Sequence, residues 1–401
     1  MIDWIDTFMA YSEGIPSPAI FRQWAAIGVV AGALERRCWT KAGRGVLYPN
    51  LFTLLVAPPA VGKSQAINLA MEIVYASKKG LAVGESMHIS PDSVTRASLV
   101  DALSDASKKV LRPTGGMLEY HSLFVAAGEL GVLLPAHDLE FLSVLNSIFD
   151  NGRVHREKRR GNNLDKEILN PQINILAGSQ PGFLGSMLPE EAWSMGFTSR
   201  LMMIYAAVSP YVPLFKEQEP RVEMENTLVK ELKKIYKCFG NIAWEPDAED
   251  AAEEWVKNGC PPEVSHSKLQ HYAGRRKLMM LKLSMVAAVS RGQTMTIAME
   301  DFLRAKSWLL DAEAVMPDIF RDMAGRSDHQ VLQELHFYMW QTYTTGGKKP
   351  LHEARLLNFL SARIPSEKIK YVIDIAIRSG MMTKTDSGLY TPRPKHEHGE
   401  E

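Results

Sequence analysis

The chain has 401 residues, of which 46% are hydrophobic and 23% are charged, values typical of a globular protein with two or three domains. This composition excludes a disordered chain, a collagen-like chain and a small disulfide-stabilised scaffold. The 46 lysines and arginines balance the 46 aspartates and glutamates, so a polyanionic partner has to bind at a local basic patch.

The cysteines and the apolar runs restrict the type of protein further. The three cysteines stand far apart without a CxxC pair, which is typical of a reducing compartment. The acidic amino terminus does not resemble a secretory signal, and the longest apolar run, Ala25 to Leu34, is far shorter than the ~20 residues that span a bilayer. We expect a soluble intracellular protein with no membrane contact and no metal site built from its histidines.

The first half of the chain contains two types of pattern. Residues 1–45 are predicted to form an N-terminal helical segment, in which Trp4, Ile5 and Phe8 share a buried face. Residues 46–210 alternate short apolar strands with helices, which favours an α/β domain with a mostly parallel sheet and helices on both faces. The predicted strands are Leu51–Val56, Leu123–Ala127, Ile173–Ala177 and Leu201–Ala206, and the predicted helices include Lys63–Ser77 and Leu139–Phe149.

The second half of the chain is predicted to be largely helical. Residues 211–327 show no strand signal and are expected to form a helical lid. Residues 328–394 contain three helical patterns and then a hairpin with an Asp386-Ser387-Gly388 turn, an order typical of a winged-helix domain. Residues 395–401 are polar and are expected to be a flexible tail. The predicted helices here are Gly274–Ser290, Met299–Ala314, Gln330–Thr344, Leu351–Ala362 and Ser366–Ser379.

A phosphate-binding motif follows the first predicted strand. The pattern GxxxxGK[ST] between a strand and a helix binds phosphate through backbone N–H groups and the positive end of the helix. In such a loop Lys63 would contact the β- and γ-phosphates of ATP, and the Ser64 hydroxyl would ligate Mg²⁺. The residues predicted to bind nucleotide are Ala57, Pro58, Pro59, Ala60, Val61, Gly62, Lys63, Ser64, Gln65, Ser179 and Gln180.

The loop departs from this pattern at two alanines. Ala57 replaces the first glycine, and Ala60 stands at another position where related loops carry glycine. An alanine held at positive φ costs about 1–2 kcal/mol, which predicts weaker nucleotide binding unless the two prolines stiffen the loop enough. A chance VGKS sequence without function is the alternative, and the strand before it and the helix after it argue against that alternative.

Polar residues follow the second and third predicted strands. Glu129 comes after Leu123–Ala127 and is predicted to act as the catalytic acid that orients the attacking water, and to contribute to the Mg²⁺ site. Many ATPases carry Asp-Glu here, whereas this chain has Gly128 before Glu129; a solvated loop carboxylate is the alternative. Ser179 or Gln180 could bind the γ-phosphate or the water, and simple turn chemistry explains them nearly as well.

One arginine and one cluster of cations are candidates for a role in hydrolysis. Arg200 precedes the strand Leu201–Ala206 and is predicted to be a finger that neutralises transition-state charge in a neighbouring subunit, with a surface salt bridge as the alternative. Arg275, Arg276 and Lys277 begin a predicted lid helix. One of them could close over the nucleotide, although a solvated helix face explains most of them.

The region before the third strand contains the only dense basic cluster of the sequence. Between Arg153 and Lys166 there are six cations and two anions, a net charge of +4. The flanking Asn-Gly and Gly-Asn-Asn sequences favour a hairpin or a loop, and basic residues without aromatic neighbours indicate contact with a nucleic-acid backbone. A solvated charge run is the alternative. The residues predicted to bind DNA are Arg153, Arg156, Lys158, Arg159 and Arg160.

The order of these motifs resembles the ATPase module of phage and prophage primase/helicase-type replication proteins. The resemblance rests on YPNL running into APPAVGKS, on GELG, on FDNGR…RRG…NPQINILAGSQP and on FTSR, and it covers roughly residues 15–300. It implies a P-loop NTPase fold similar to AAA+ and superfamily 3 helicases, and a ring that is usually a hexamer with single-stranded DNA in its channel. It also implies ATP and Mg²⁺ at Lys63 and Ser64, Glu129 as catalytic acid, Arg200 as finger in trans and 153–160 as the channel hairpin.

Three hypotheses about function follow. The first is an ATP-dependent DNA helicase or translocase in the cytoplasm of a bacterial or phage-infected cell. If priming occurs, another protein supplies it, and the possible partners are a separate primase or other replication proteins. The second is an ATP-switched helicase loader or origin-binding initiator that binds DNA without processive unwinding, which the altered loop and Gly128 favour. The third is a nucleotide-binding scaffold without hydrolysis. Whether the winged helix contacts duplex DNA or protein stays open, as do ring size, polarity and DNA versus RNA preference.

Overall fold

A computed structural model gives the fold of the chain. The chain divides into two compact units, Met1–Ile319 and Phe320–Glu401. None of the helices in the described part of the chain is both long and apolar enough to cross a membrane. The structure describes residues 2–82, 84–91, 95–112, 115–134, 138–150, 152–157, 166–188, 193, 196–213, 215, 220–264, 266–361, 366–385 and 388–393.

The first unit begins with two helices, α1 (Trp4–Tyr11) and α2 (Ala19–Leu34). The Asp3 carboxylate caps α1 by accepting a hydrogen bond from the N–H of Asp6. Trp4, Ile5 and Phe8 are fully buried, which confirms the predicted apolar face. α2 is buried on nearly all sides because its sequence is almost entirely apolar, so it packs within the core.

The end of the predicted N-terminal helical segment is instead a hairpin. Strands β1 (Cys38–Ala42) and β2 (Gly45–Leu47) pair antiparallel, with Thr40 opposite Leu47. Gly43 lies at φ +58° in the connecting turn, a conformation that glycine adopts without steric cost. The prediction of helix through residue 45 is therefore wrong beyond Arg37, because the turn residues override the helical pattern.

The central sheet confirms the predicted α/β class. Its parallel strands lie in the order β10-β3-β9-β6-β4, and β5 adds an antiparallel edge to β6. The strands of this part of the chain are β3 (Phe52–Val56), β4 (His88–Ile89), β5 (Ser107–Leu111), β6 (Met117–Ala127), β7 (Val154–Glu157), β8 (Lys166–Leu169), β9 (Pro171–Ser179) and β10 (Leu201–Tyr205).

Helices flank this sheet and connect its strands. Every residue of β3, β9 and β10 is buried, as expected for parallel strands covered by helices. The helix after β3 begins at Lys63, as predicted. These helices are α3 (Lys63–Lys78), α4 (Arg96–Asp105), α5 (Leu130–Leu133), α6 (Leu139–Phe149) and α7 (Pro181–Met187).

The strand register determines which loops meet. Val56 at the end of β3 pairs with Ser179 at the end of β9, and Ala127 at the end of β6 pairs with Ala177. The segments that follow these three strands therefore lie at the same edge of the sheet. Ligands of open parallel sheets bind outside this carboxyl edge, so the fold places the candidate phosphate loop where a ligand site is expected.

The region predicted to be a strand-free lid contains three short strands, so that prediction needs correction. β11 (Gly240–Asn241) pairs with β1, and β12 (Ala243–Trp244) pairs with β13 (Thr296–Ile297). Strands of two residues are too short to produce an alternating sequence pattern. The helices of this region are α8 (Val222–Ile235), α9 (Pro246–Lys257), α10 (Gln270–Ala273) and α11 (Arg276–Ser290).

The second unit has its own hydrophobic core. α12 runs without interruption over Met299–Thr345, where the sequence predicted two helices, and the predicted boundary at residue 327 falls inside it. The antiparallel pair β14 (Met382–Lys384) and β15 (Tyr390–Pro392) follows the helices, as predicted. Leu335, Leu356 and Val372 pack in the core of this unit. The remaining helices are α13 (Glu353–Ser361) and α14 (Ser366–Arg378).

Candidate functional site

Gly62 ends the candidate phosphate loop at the amino terminus of α3. It lies at φ +93°, in the left-handed region that side chains rarely adopt. A Cβ at this position would also lie 2.2 Å from the carbonyl oxygen of Pro16 and 2.8 Å from the Cα of Ser17. Both the backbone conformation and the close approach of the 16–17 segment therefore require glycine here.

The two alanines of the loop differ in their conformation. Ala60 lies at φ +63°, so the strain expected from the sequence is present at this position. Ala57 is not among the residues at positive φ. It is fully buried, and its N–H donates a hydrogen bond of 3.2 Å to the carbonyl oxygen of Ser179. The loop thus accepts alanine without strain at its first position and with strain at its fourth.

Lys63 is folded into the loop that precedes it. The side chain is almost fully buried, with an exposed fraction of 5%. Its ammonium group donates hydrogen bonds of 3.0 Å to the carbonyl oxygens of Ala57 and Pro58. Ser64 and Gln65, the next two residues of α3, are exposed. A cation is therefore held inside the loop at a helix amino terminus, which is the arrangement that binds phosphate.

Two glycines at the ends of β6 and β9 lie against this lysine and serine. A Cβ at Gly128 would lie 3.6 Å from the Ser64 hydroxyl oxygen. A Cβ at Gly178 would lie 2.3 Å from the carbonyl oxygen of Gly128 and 3.5 Å from the Cβ of Lys63. Sequence reasoning missed Gly178, although a glycine at the end of a buried strand is a signal of close backbone approach.

The three polar residues predicted beside the phosphates lie at the same edge. Glu129 is half-buried before α5, and its carboxylate makes no side-chain hydrogen bond or ion pair within the part of the chain that the structure describes. The Ser179 hydroxyl is fully buried and likewise lacks a partner among the described residues. Gln180 is half-buried and does not cap α7 with its side chain. The Ser179 hydroxyl therefore has unused hydrogen-bonding capacity here. Burying a hydroxyl without a hydrogen-bond partner costs about 1–3 kcal/mol of folding free energy.

The donor set for a metal ion is small. Among the described residues no three histidine, cysteine, aspartate or glutamate side chains form a group that could hold a metal. The chain's own ligands for Mg²⁺ would be the Ser64 hydroxyl and the Glu129 carboxylate. A site with so few protein ligands is compatible with Mg²⁺, because this ion keeps several bound waters and is held largely by substrate phosphates.

Arg200 does not lie with these residues. It precedes β10, whose first residue pairs with the first residue of β3, so it stands at the opposite edge of the sheet from Lys63. Its Nε donates to Asp150 at 3.2 Å, a second guanidinium nitrogen also pairs with Asp150, and the exposed fraction is 7%. Arg275 donates to the same carboxylate at 3.0 Å. Burial favours a higher pKa of Asp150, but the hydrogen bonds and charges of Arg200 and Arg275 outweigh it and lower the pKa.

The cations of the predicted lid helix differ in exposure: Lys277 is exposed, Arg275 is half-buried, and Arg276 is buried. Arg276 is 2% exposed and donates to both carboxylate oxygens of Glu313, at 2.8 and 2.6 Å. Lys282 is buried and donates to Asn50, and burial lowers the pKa of Lys282 well below its usual value. The interpretation as a solvated face is therefore wrong for Arg276, and Lys282 farther along the same helix is likewise paired with a residue distant in sequence.

The predicted basic hairpin is present in its described part. Strands β7 and β8 pair antiparallel, with Glu157 opposite Lys166. Arg153 and Arg156 are exposed, and Arg156 forms an ion pair of 3.3 Å with Glu167. An exposed pair of this kind contributes little to stability, so it leaves Arg156 available for another anion. The other predicted DNA contacts, Lys158, Arg159 and Arg160, lie outside the described residues.

Comparison with known proteins adds no further information about this site. No protein-family model matches the chain, and no curated protein matches it either.

Proposed function

We propose that the chain is a P-loop ATPase of the AAA+-like kind, with nucleotide bound by residues 57–65. One observation carries the proposal: Lys63 and Ser64 open α3 at the carboxyl edge of a parallel sheet, directly beside the ends of β6 and β9. A strand, a tight loop and a helix with this sequence form an anion site through the backbone N–H groups and the helix dipole. The buried ammonium of Lys63 adds the cation that a triphosphate requires.

Each residue at this edge has a proposed role. Lys63 exchanges the carbonyl oxygens of Ala57 and Pro58 for the β- and γ-phosphates of ATP. Ser64 and Glu129 hold Mg²⁺, which neutralises charge on the phosphates when bound. Glu129 also orients the attacking water, since its carboxylate has no partner in the described part of the chain. The Ser179 hydroxyl is the better candidate for a hydrogen bond to the γ-phosphate, because it is buried and unpartnered there.

The proposed activity on DNA is that of a ring-forming helicase or translocase that moves along a single strand. The basic hairpin β7–β8 supports this proposal, because it leads directly into β9, whose other end carries Ser179. A change at the phosphates can therefore be transmitted along one strand to the exposed Arg153 and Arg156. The resemblance to phage-type replication helicases supports a homo-hexamer with ATP between subunits and a winged helix in residues 328–394.

Two observations favour the second candidate, an ATP-switched loader or initiator. Gly128 stands next to the Ser64 hydroxyl without a carboxylate, so the Mg²⁺ site has one protein ligand fewer than in many ATPases. Arg200 is buried against Asp150 within its own chain, so a role as finger in trans requires it to leave that carboxylate. Both features predict slow hydrolysis, which suits a switch better than a motor.

The position of Gly128 gives a direct prediction about Mg²⁺. Gly128→Asp places a carboxylate beside Ser64, and the ordinary 3.6 Å contact of its Cβ leaves the loop undisturbed. We expect the Mg²⁺ concentration for half-maximal ATP turnover to fall at least about threefold, because a strand-end Asp is a usual Mg²⁺ ligand in P-loop enzymes. Gly128→Ala, which adds the Cβ alone, should leave it unchanged. An equal effect of both variants would assign the change to packing.

Strand displacement on a forked duplex separates the two candidate functions. A helicase should show ATP turnover stimulated by single-stranded DNA, a ring-sized particle with ATP, and ATP-dependent release of the displaced strand. A loader or initiator should bind DNA in the presence of ATP and release no strand. The absence of both DNA binding and turnover would contradict both candidates and leave a scaffold.

A further inference from the structure

Two adjoining cavities lie at the amino edge of the central sheet, away from the phosphate loop. Each has a volume of about 460 Å³, and Arg36, Tyr48 and Arg112 line both. Asn170, which also lines the second cavity, directly precedes β9, whereas Ser179 beside the loop ends β9. At about 3.3 Å per residue, the two ends of β9 are roughly 26 Å apart. We call these two cavities together the amino-edge groove.

The second cavity of the amino-edge groove is strongly cationic. Arg36, Arg112, Arg153 and Arg275 all line it. The one acid among its described lining residues is Asp150, whose carboxylate is already held by Arg200 and Arg275. Arg112 and Arg153 are exposed. A concave surface with this excess of guanidinium groups attracts phosphate, since arginine binds it through paired N–H donors.

The first cavity places aromatic side chains beside two of these cations, Arg36 and Arg112. Trp39, Tyr48 and Phe239 line it, and no acid is among its described lining residues. The Trp39 and Phe239 rings meet edge to face at 5.8 Å. Arg36 lies 4.4 Å from the Tyr48 ring centre and donates to the carbonyl oxygen of Pro171 at 2.9 Å, so its position is fixed before any ligand binds. These half-buried rings offer faces on which bases can stack.

We propose that the amino-edge groove binds a single strand of nucleic acid, with phosphates at the arginines and bases at Trp39 and Phe239. Cations that follow a backbone beside aromatic rings are the combination that single-strand binding surfaces use. A free small anion would bind to the arginines without contacting the aromatic rings. An acidic protein segment would not require the aromatic rings either. The assignment of a nucleic acid as the ligand of the groove rests on the proposed function. The residues that line the groove differ from those of the ATP site, and they include residues outside the β7–β8 hairpin.

Equilibrium binding of a fluorescein-labelled oligothymidylate, measured by anisotropy without nucleotide, tests this proposal. Arg112→Ala should weaken binding about threefold or more and should reduce the salt slope by about 0.7, the contribution of one phosphate contact on a single strand. Trp39→Ala should weaken binding at least about fivefold because it removes a stacking surface. An abasic strand of the same length should compete poorly with the labelled oligothymidylate for binding to the wild-type protein.

The controls distinguish this proposal from the proposed ATPase. Lys230→Ala with Lys257→Ala removes two exposed helix cations outside the groove and should leave binding unchanged. The groove variants should retain basal ATP turnover, which shows that they fold, and Lys63→Ala should retain strand binding. Unchanged binding in the groove variants would overturn the groove, whatever happens at the ATP site. Equal competition by the abasic strand would overturn the stacking role of Trp39 and Phe239.

Discussion

Replacing Lys63 with alanine should lower ATP turnover at least about 100-fold, since loss of a single preorganised donor to developing charge costs about 10²–10³ in rate. Lys63 is the cation of the loop, and its ammonium is already held there by two carbonyl oxygens at 3.0 Å. No reorganisation of a distant side chain is needed to bring it to the phosphates. Its removal eliminates the charge that stabilises the phosphoryl group during transfer.

The matched control for this variant lies in the same helix. Lys78 is in the last turn of α3, so Lys78→Ala removes one positive charge at the far end of the helix and should leave turnover unchanged. Steady-state phosphate release, with and without single-stranded DNA, measures both variants. Turnover retained by Lys63→Ala would mean that the catalytic site lies elsewhere, and turnover lost equally in both variants would indicate a general effect on folding.

The largest effect on stability is expected at Glu35. This carboxylate is fully buried and accepts hydrogen bonds from the Lys108 ammonium at 2.5 Å and from the Tyr120 hydroxyl at 2.7 Å. Arg37 forms an ion pair with it at 3.2 Å. Glu35→Ala leaves two buried cations without their carboxylate, and breaking such a buried pair costs about 3–5 kcal/mol. Urea unfolding followed by tryptophan fluorescence should show a correspondingly lower midpoint.

A surface glutamate provides the comparison for Glu35. The Glu300 side chain is 64% exposed and pairs with Arg291 at 2.8 Å, so Glu300→Ala should cost less than about 1 kcal/mol. Seven of the eight tryptophans lie in the Met1–Ile319 unit, so the fluorescence reports on the unit that contains both residues. Equal costs for the two variants would contradict the account of Glu35 as the anchor of a buried charge cluster.

The sequence was informative where local chemistry decides the structure. The run from Leu51 to Ser64 predicted a strand, a loop and a helix beginning at Lys63, because buried strands and the GKS motif have strong local signals. Helix α6 has the predicted bounds, since its apolar residues recur at helical spacing. The strain at Ala60 also followed from one residue, because only glycine adopts that conformation at no cost.

The parts that the sequence did not predict depend on contacts between distant segments. Strand β4 has two residues, and its place next to β6 follows from pairing and not from a pattern of its own. The pairing of Arg200 with Asp150, 50 residues earlier, is likewise a contact that no local pattern indicates. The amino-edge groove joins side chains that are far apart in the sequence, from Arg36 to Lys282, so no motif in the sequence indicates it.

Binding of a nucleoside triphosphate by residues 57–65 underlies every proposed role of this site. Isothermal titration of the intact chain with a non-hydrolysable ATP analogue and Mg²⁺ tests it most directly. We expect saturable binding that approaches one nucleotide per chain and is lost in Lys63→Ala but kept in Lys78→Ala. Absence of saturable binding to the wild-type chain, or binding that Lys63→Ala leaves intact, would contradict it.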